Sequence, residues 1–455
     1  MRVVRVNLRL AVALIALAMA SPAHASPISA HAMVHTCCTP AAMKERIFSE
    51  TKNLGAEYIR VDVEMSSIFE APDGSKTATP NWSGLVEVME LSKKYELPVL
   101  AILLSPPRFT SACPKRWPDS GRCAAADTVE FGTLAGEIAK HAAGSIGRWE
   151  IVNEPDGDWA FEGTPEQYAA MLSAAYDGIK AQAPGAQVVL GGLMRPHEPG
   201  WLERVFATPG VDAIHKFDIA NVHLRGPVEN VVRRYGEFRS WIDARGFHGP
   251  LWVTEHGYPA DPAFQTDGAY TGGDAAQAAY LIQTLVGLGE LGAPQIFVTL
   301  RDNLEGEYAS EGLEHINDAA GHAVSRRESF ATVQRLVDNW DQLMTWREEQ
   351  RENEREQRVQ QAAAAVSASE ARTARAKFRD ARLRVHAAQD ELARPRLLRT
   401  TKARLRRRLA RARALLAGRR TVLLWHSAHA RWHSERAYER GVAVELLKQR
   451  IASGG

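Results

Sequence analysis

From about residue 29 to residue 340, short apolar runs alternate with segments whose apolar positions recur every three to four residues. The first kind predicts β-strands and the second predicts amphipathic helices. Eight strand candidates follow: 28–34, 58–63, 98–104, 147–152, 187–192, 217–223, 250–254 and 295–300. Helical segments lie between them, for example 164–183 and 274–291. Thr164 followed by Gln167 has the spacing of a capping box, which marks a helix start. Regular alternation predicts a parallel sheet, and eight such units in about 310 residues suit an α/β fold of the (β/α)8, or TIM, barrel type. An open doubly wound sheet would share the count, but no glycine-rich nucleotide fingerprint follows the first strand.

Beyond about residue 345 the pattern changes. Glycine and aromatic residues thin out, and apolar residues recur at heptad-like spacing: Phe378, Val385 and Leu392, then Leu405, Leu409, Leu416 and Leu423. Pro395 interrupts the pattern and cannot occupy a helix interior without a break. The expectation is two long helices folded into a coiled-coil hairpin, although part of this low-complexity stretch also has the composition of a disordered segment.

Charge sharpens that division. Residues 341–455 hold 27 Lys+Arg against 13 Asp+Glu, whereas the rest of the chain holds 29 against 41. A near-neutral total of +2 therefore hides an acidic front and a basic tail.

The first 25 residues read as a leader. Arg2, Arg5 and Arg9 precede an apolar stretch at 10–20, and Ala23-His24-Ala25 has the form of a cleavage site. The apolar stretch is shorter than the roughly 20 residues needed to span a bilayer. Three segments are thus expected: a signal peptide (1–25), a barrel (26–340) and a basic helical region (341–455). The expected location is secreted, either extracellular or in the cell envelope. In that oxidising setting Cys37, Cys38, Cys113 and Cys123 are disulfide candidates. Three pairings are open, and the simplest joins Cys113 to Cys123 across a short loop rich in Pro and Gly. No Cys-x-x-Cys spacing supports zinc.

Two glutamates stand at predicted strand ends. Asn153-Glu154-Pro155 closes the fourth strand, and Thr254-Glu255-His256-Gly257-Tyr258-Pro259 closes the seventh. In a barrel both ends open onto one face. Two carboxyls so placed suit sugar hydrolysis, in which one protonates the leaving oxygen and the other attacks the anomeric carbon.

These motifs resemble those of clan A glycoside hydrolases, with family 39 and family 5 nearest in character, over roughly residues 30–340. The resemblance implies a retaining O-glycosyl hydrolase acting on a poly- or oligosaccharide, with Glu154 as acid/base and Glu255 as nucleophile. It implies that Asn153 bonds the sugar 2-hydroxyl, that Arg60 keeps Glu255 ionised, and that His223 is the clan's strand-six histidine. It calls for no metal and no organic cofactor. Two positions depart from the pattern. Arg225 stands where many members place a tyrosine against the nucleophile, and the eighth strand has Phe297 but no tryptophan. Trp159 and Tyr258, close behind the two glutamates, are candidates to stack on sugar faces, with Trp117 a further one. The expected partner is a carbohydrate substrate. The tail at 341–455 has the charge to bind an anionic envelope polymer and the heptads to self-associate, and no nucleic acid is expected. The alternative reading is a catalytically inactive carbohydrate-binding barrel with a coiled coil for attachment or oligomerisation.

Overall fold

The computed structural model describes residues 26–113, 122–302, 308–316, 324–394 and 399–452. Residues 1–25, expected to be a leader, lie outside the described residues, as do Trp117 and Pro395. Contacts divide the chain into two compact units, with the division between Asp341 and Gln342.

The first unit is built on eight parallel strands: β1 (Ile28–His35), β2 (Ile59–Glu64), β3 (Val99–Leu104), β4 (Arg148–Ile151), β5 (Gln187–Val189), β6 (Ala220–Leu224), β7 (Leu251–His256) and β8 (Ile296–Thr299). All eight predicted runs are present to within about three residues at either end. The sequence Val-Leu-Ala-Ile-Leu-Leu of β3 shows why the runs were legible. A parallel strand covered on both faces is apolar almost throughout. The hydrogen-bonded order is β5-β4-β3-β2-β1-β8-β7-β6. Two isolated parallel bridges, Val189 to Ile219 and Leu193 to Val222, stitch β5 to β6, so the barrel is near-closed. Helices alternate with the strands as the sequence predicts. The helix Pro165–Gln182 opens with the Thr164/Gln167 capping box, both bonds formed.

Side chains from the strands fill the barrel. Leu100, Val189, Ile219, Trp252 and Phe297 form one buried cluster, with Tyr58 packed against it. Phe297 is thus a core residue rather than a sugar platform, with its ring 5.9 Å from that of Trp252.

The strand register is irregular in three places. Pairing shifts between His31 and Val34 on β1, between Val222 and His223 on β6, and between Val253 and His256 on β7. Such irregularities re-aim side chains and gather near functional sites. Here they bracket His31, His223 and Glu255.

The second unit is a helical hairpin made by the long helices Trp340–Ala393 and Arg399–Ala452. Its contacts run antiparallel. Glu391 meets Arg408, Glu370 meets His426, Gln360 meets His433 and Asn353 meets Arg440. Val385, Ala388 and Leu409 are buried in the seam, flanked by Leu392 and Leu416, so the heptad pattern reports the contact face. Among the described residues, no helix is long and apolar enough to cross a membrane.

Candidate active site

Glu255 is the penultimate residue of β7, and Glu154 follows the end of β4 by three residues. One carboxylate oxygen of each lies within 4.8 Å of the other, and of a ring nitrogen of His223. The backbone is strained at this point. Val152 has φ 65° and Glu154 has φ 43°. For a β-branched residue that is a true outlier, held only by surrounding structure.

Arg60, 1% exposed, organises the floor of the site. Its Nε and Nη2 donate to both oxygens of Glu150, at 2.9 and 2.8 Å. Its Nη1 donates to Glu255 Oε1 at 2.6 Å, and its Nη2 to Asn153 Oδ1 at 2.8 Å. The Asn153 amide nitrogen is left free of that bond. Arg225, immediately after β6, donates from Nη2 to Glu255 Oε2 at 3.1 Å. Burial raises the Glu255 carboxyl, but the positive groups around it prevail and hold it well below the usual carboxylate range. Burial pushes His31 down to about 3, so this neighbour is neutral at ordinary pH. His223 leads the groups that keep Glu255 ionised, and the permanent guanidinium charges of Arg60 and Arg225 add to it.

Glu154 has two partners. His223 Nδ1 lies 2.8 Å from Oε1, and the Trp159 indole donates to Oε2 at 2.8 Å. His223 Nε2 lies 3.1 Å from Thr254 Oγ1, which donates in turn to Asn221 Oδ1. With the Asn221 amide oriented so, Nε2 carries the ring hydrogen. Nδ1 and Glu154 Oε1 then share one proton across their 2.8 Å contact.

The glutamates open into a cavity of about 420 Å³ whose walls include Asn153, Trp159, Arg225 and His31. Of the residues singled out from the sequence, Glu154, Glu255, Asn153 and Trp159 line it, and Arg60 and His223 lie directly behind. Tyr258 does not. It is 1% exposed, stacks on Tyr280 at 3.9 Å, and donates its hydroxyl to Tyr270 O at 3.0 Å. The chain turns away from the cavity after His256, so proximity to Glu255 in sequence did not carry over into space.

Several residues of the site escaped the sequence reading. Glu150 was legible in principle, since a charge in the middle of a buried strand needs a partner. His31 and Glu311 gave no local signal. Gly192 has a steric reason: a Cβ there would fall 2.0 Å from His223 Nε2. The structure pairs Cys113 with Cys123 and Cys37 with its neighbour Cys38. Among the described residues, Glu154, His223 and Glu255 are the one group that could gather around a metal ion. Two guanidinium groups already bonded to Glu255 work against a cation there.

No family model matches the chain, and no curated protein matches it. Solved structures do. A glucosidase from Croceicoccus marinus is 17% identical, with a TM-score of 0.49, over 64% of this chain and 63% of that one. A conserved exported protein from Bacteroides fragilis is 14% identical, with a TM-score of 0.50, over 69% and 79%. A β-glucosidase from Trichoderma harzianum is 15% identical, with a TM-score of 0.48, over 66% and 86%. The chain spans less than two thirds of the Croceicoccus marinus protein. At these identities the likeness is one of fold.

Proposed function

We propose that this protein is an exported retaining glycoside hydrolase that cleaves O-glycosidic bonds by double displacement. The observation that carries the reading is the pair Glu154 and Glu255, at the ends of β4 and β7, with carboxylate oxygens within 4.8 Å. Retaining sites hold their carboxyls about 5–5.5 Å apart, whereas inverting sites leave about 6.5–9.5 Å for a water. Closely spaced acids resist joint ionisation, so one keeps the proton. Arg60 and Arg225 assign the negative charge to Glu255.

In the first half-reaction Glu154 gives its proton to the glycosidic oxygen as the bond to the anomeric carbon breaks. A Glu255 oxygen bonds that carbon, forming a glycosyl ester and releasing the alcohol. In the second, Glu154, now a carboxylate, takes a proton from water, and the water oxygen bonds the anomeric carbon. Glu255 departs as a carboxylate, and the configuration is restored. The Asn153 amide, bonded through its oxygen to Arg60, then donates to or accepts from the sugar 2-hydroxyl. Two bonded cysteine pairs and the leader form of residues 1–25 support export.

The test is a screen of the full-length protein against a polysaccharide and oligosaccharide panel, with the product anomer followed by NMR. Retention is expected, together with loss of turnover in Glu255→Ala and Glu154→Gln. Inversion, or full activity in either variant, overturns the reading. Binding without turnover by the unaltered protein would make it a carbohydrate-binding barrel instead.

A further inference from the structure

Glu255 has a guanidinium partner on each oxygen. Arg60 takes Oε1, and Arg225 takes Oε2. Oε2 is also the oxygen 3.7 Å from His223 Nδ1, on the side of Glu154. Arg225 does not hang from Glu255 alone. Its Nε and Nη2 grip Glu311 at 2.8 and 2.9 Å, and its guanidinium lies 4.8 Å from the centre of the Tyr308 ring.

Glu311 is a built anchor. It is 2% exposed and accepts the Thr299 hydroxyl at 3.0 Å. Its backbone carbonyl and those of its two neighbours accept from the Gln277 side chain. A Cβ at Gly257 would fall 2.3 Å from Glu311 Cγ. The glycine two residues after Glu255 therefore leaves room for this carboxylate.

The result is a chain of alternating charge: Glu150, Arg60, Glu255, Arg225, Glu311. Each arginine carries its own buried carboxylate. That matters because the charge on Glu255 is transient in double displacement. When Glu255 becomes a neutral ester, an arginine compensated only by Glu255 would lose its partner and relax. Arg225 stays in place, because Glu311 still holds it. It is then already bonded to the carboxylate on which negative charge returns as the ester breaks. Donors fixed beforehand where charge develops cost no reorganisation at the moment of reaction.

We propose that Arg225, fixed by Glu311, is a positioning residue that speeds departure of Glu255 from the sugar and so sets the lifetime of the glycosyl ester. The inference rests on the double-displacement reading. It assigns a role to the guanidinium that stands where many members of the resembling family carry a tyrosine.

Two measurements on the full-length protein test it. The first needs no substrate: the Glu255 carboxyl resonance is titrated in ¹³C-glutamate-labelled protein, assigned by its loss in Glu255→Gln. In Arg225→Leu the midpoint is expected to rise by about one pH unit or more, and in Arg225→Lys to stay low. Because Leu leaves Glu311 unpaired, Arg225→Leu/Glu311→Leu is measured as well, with the same rise expected and with folding checked by circular dichroism. The second uses whichever member of a 4-nitrophenyl β-glycoside panel is hydrolysed. Loss of the guanidinium should lower kcat by about 10²-fold. KM should fall with it, because the ester accumulates, and the adduct should appear by mass on the Glu255 peptide. An unmoved midpoint in folded Arg225→Leu/Glu311→Leu overturns the inference. So does a KM that rises while kcat holds. A Glu255→Ala protein that still turns over would overturn the double-displacement reading and this inference with it. An inactive Glu255→Ala beside an unaffected Arg225→Leu overturns this inference alone.

Discussion

The Trp159 indole Nε1 donates a hydrogen bond to Glu154 Oε2 at 2.8 Å while the residue remains 48% exposed at the cavity wall. Under the proposed mechanism one side chain would both steady the acid and offer a face to the substrate. Its backbone is tied down too, since Arg122 Nη1 donates to Trp159 O at 2.8 Å. Trp159→Phe keeps the face and removes the donor, whereas Trp159→Ala removes both. A hydrogen bond to a group that becomes charged as its proton leaves contributes about 1.5–3 kcal/mol to the transition state, so Trp159→Phe should lower kcat/KM by roughly 10- to 100-fold. Trp159→Ala should lose more, chiefly through KM on longer substrates. Equal values for the two variants would remove the stacking role.

How far the site was legible depended on where its chemistry lay. Glu154 and Glu255 could be found because each follows an apolar run that can only be a barrel strand, and the fold brings all strand ends to one face. Arg60 was legible only through the family resemblance, which implies an arginine on the second strand beside the nucleophile. Glu311 could not. It lies in a loop after β8, and its pairing with Arg225 joins positions 86 residues apart. Tyr258 was misplaced for the converse reason, since three residues of loop suffice to turn a side chain away from the cavity. The missing eighth-strand tryptophan has a plain counterpart in the structure, where Phe297 belongs to the packed interior.

His31 is a second polar group with work to do. Arg60 Nη1 lies 3.3 Å from His31 Nδ1 and can only donate, so the ring hydrogen sits on Nε2. That nitrogen is buried without a hydrogen-bond partner, 3.7 Å from Glu255 Oε1, in a residue that lines the cavity. A buried donor left unmade costs about 1–3 kcal/mol, which a substrate hydroxyl would recover. His31→Phe is expected to lower kcat/KM by about tenfold or more with little loss of thermal stability. Unchanged kinetics in a folded variant would show that the nitrogen meets no substrate atom.

His256, the last residue of β7, makes stability depend on pH. It is fully buried and pushed down to about 4, first by burial. Its Nδ1 lies 2.8 Å from the Leu224 carbonyl and its Nε2 2.7 Å from Thr284 Oγ1, a pattern that suits the neutral ring. The unfolded chain protonates this ring near pH 6.5 and the folded chain near 4. Between those values the unfolded state binds more protons, so stability falls as pH falls through the window. The contribution is on the order of 3 kcal/mol. Denaturant unfolding of the wild type and His256→Gln at pH 7 and pH 4.5 should therefore show a smaller acid-induced loss in the variant. Parallel losses would mean that this ring is not the sensor.

The basic tail invites a separation experiment. Residues 341–455 carry the excess of 27 Lys+Arg over 13 Asp+Glu, and Trp425 and Trp432 are 57% and 47% exposed on its second helix. The full chain is expected to bind an anionic polysaccharide resin and to elute as salt rises, because exposed charges are screened over about 8 Å at physiological ionic strength. A chain ending at Asp341 should elute earlier and keep its hydrolysis. Sedimentation of both forms over a range of concentrations reads self-association through the hairpin. Identical elution of the two forms would leave the charge excess without this role.

Gly192 ties the architecture of β5 to the chemistry on β4. A Cβ at this position would fall 2.0 Å from His223 Nε2 and 2.5 Å from Cδ2 of the same ring, so the ring cannot stay where it is. His223 is buried and lies between Glu154 and Thr254, with no flexible end to yield. Gly192→Ala must therefore displace the ring, breaking its 2.8 Å contact with Glu154. Loss of a positioned group in proton transfer typically costs 10²–10⁴-fold, so kcat should drop by at least about 10²-fold. Stability should fall by only about 1–3 kcal/mol, the usual cost of overpacking. His223→Ala/Gly192→Ala discriminates between causes. With the ring gone the added methyl has nothing to displace, so the double variant should be no slower than His223→Ala alone. A further large loss in the double variant would place the effect of Gly192 in the backbone rather than in His223.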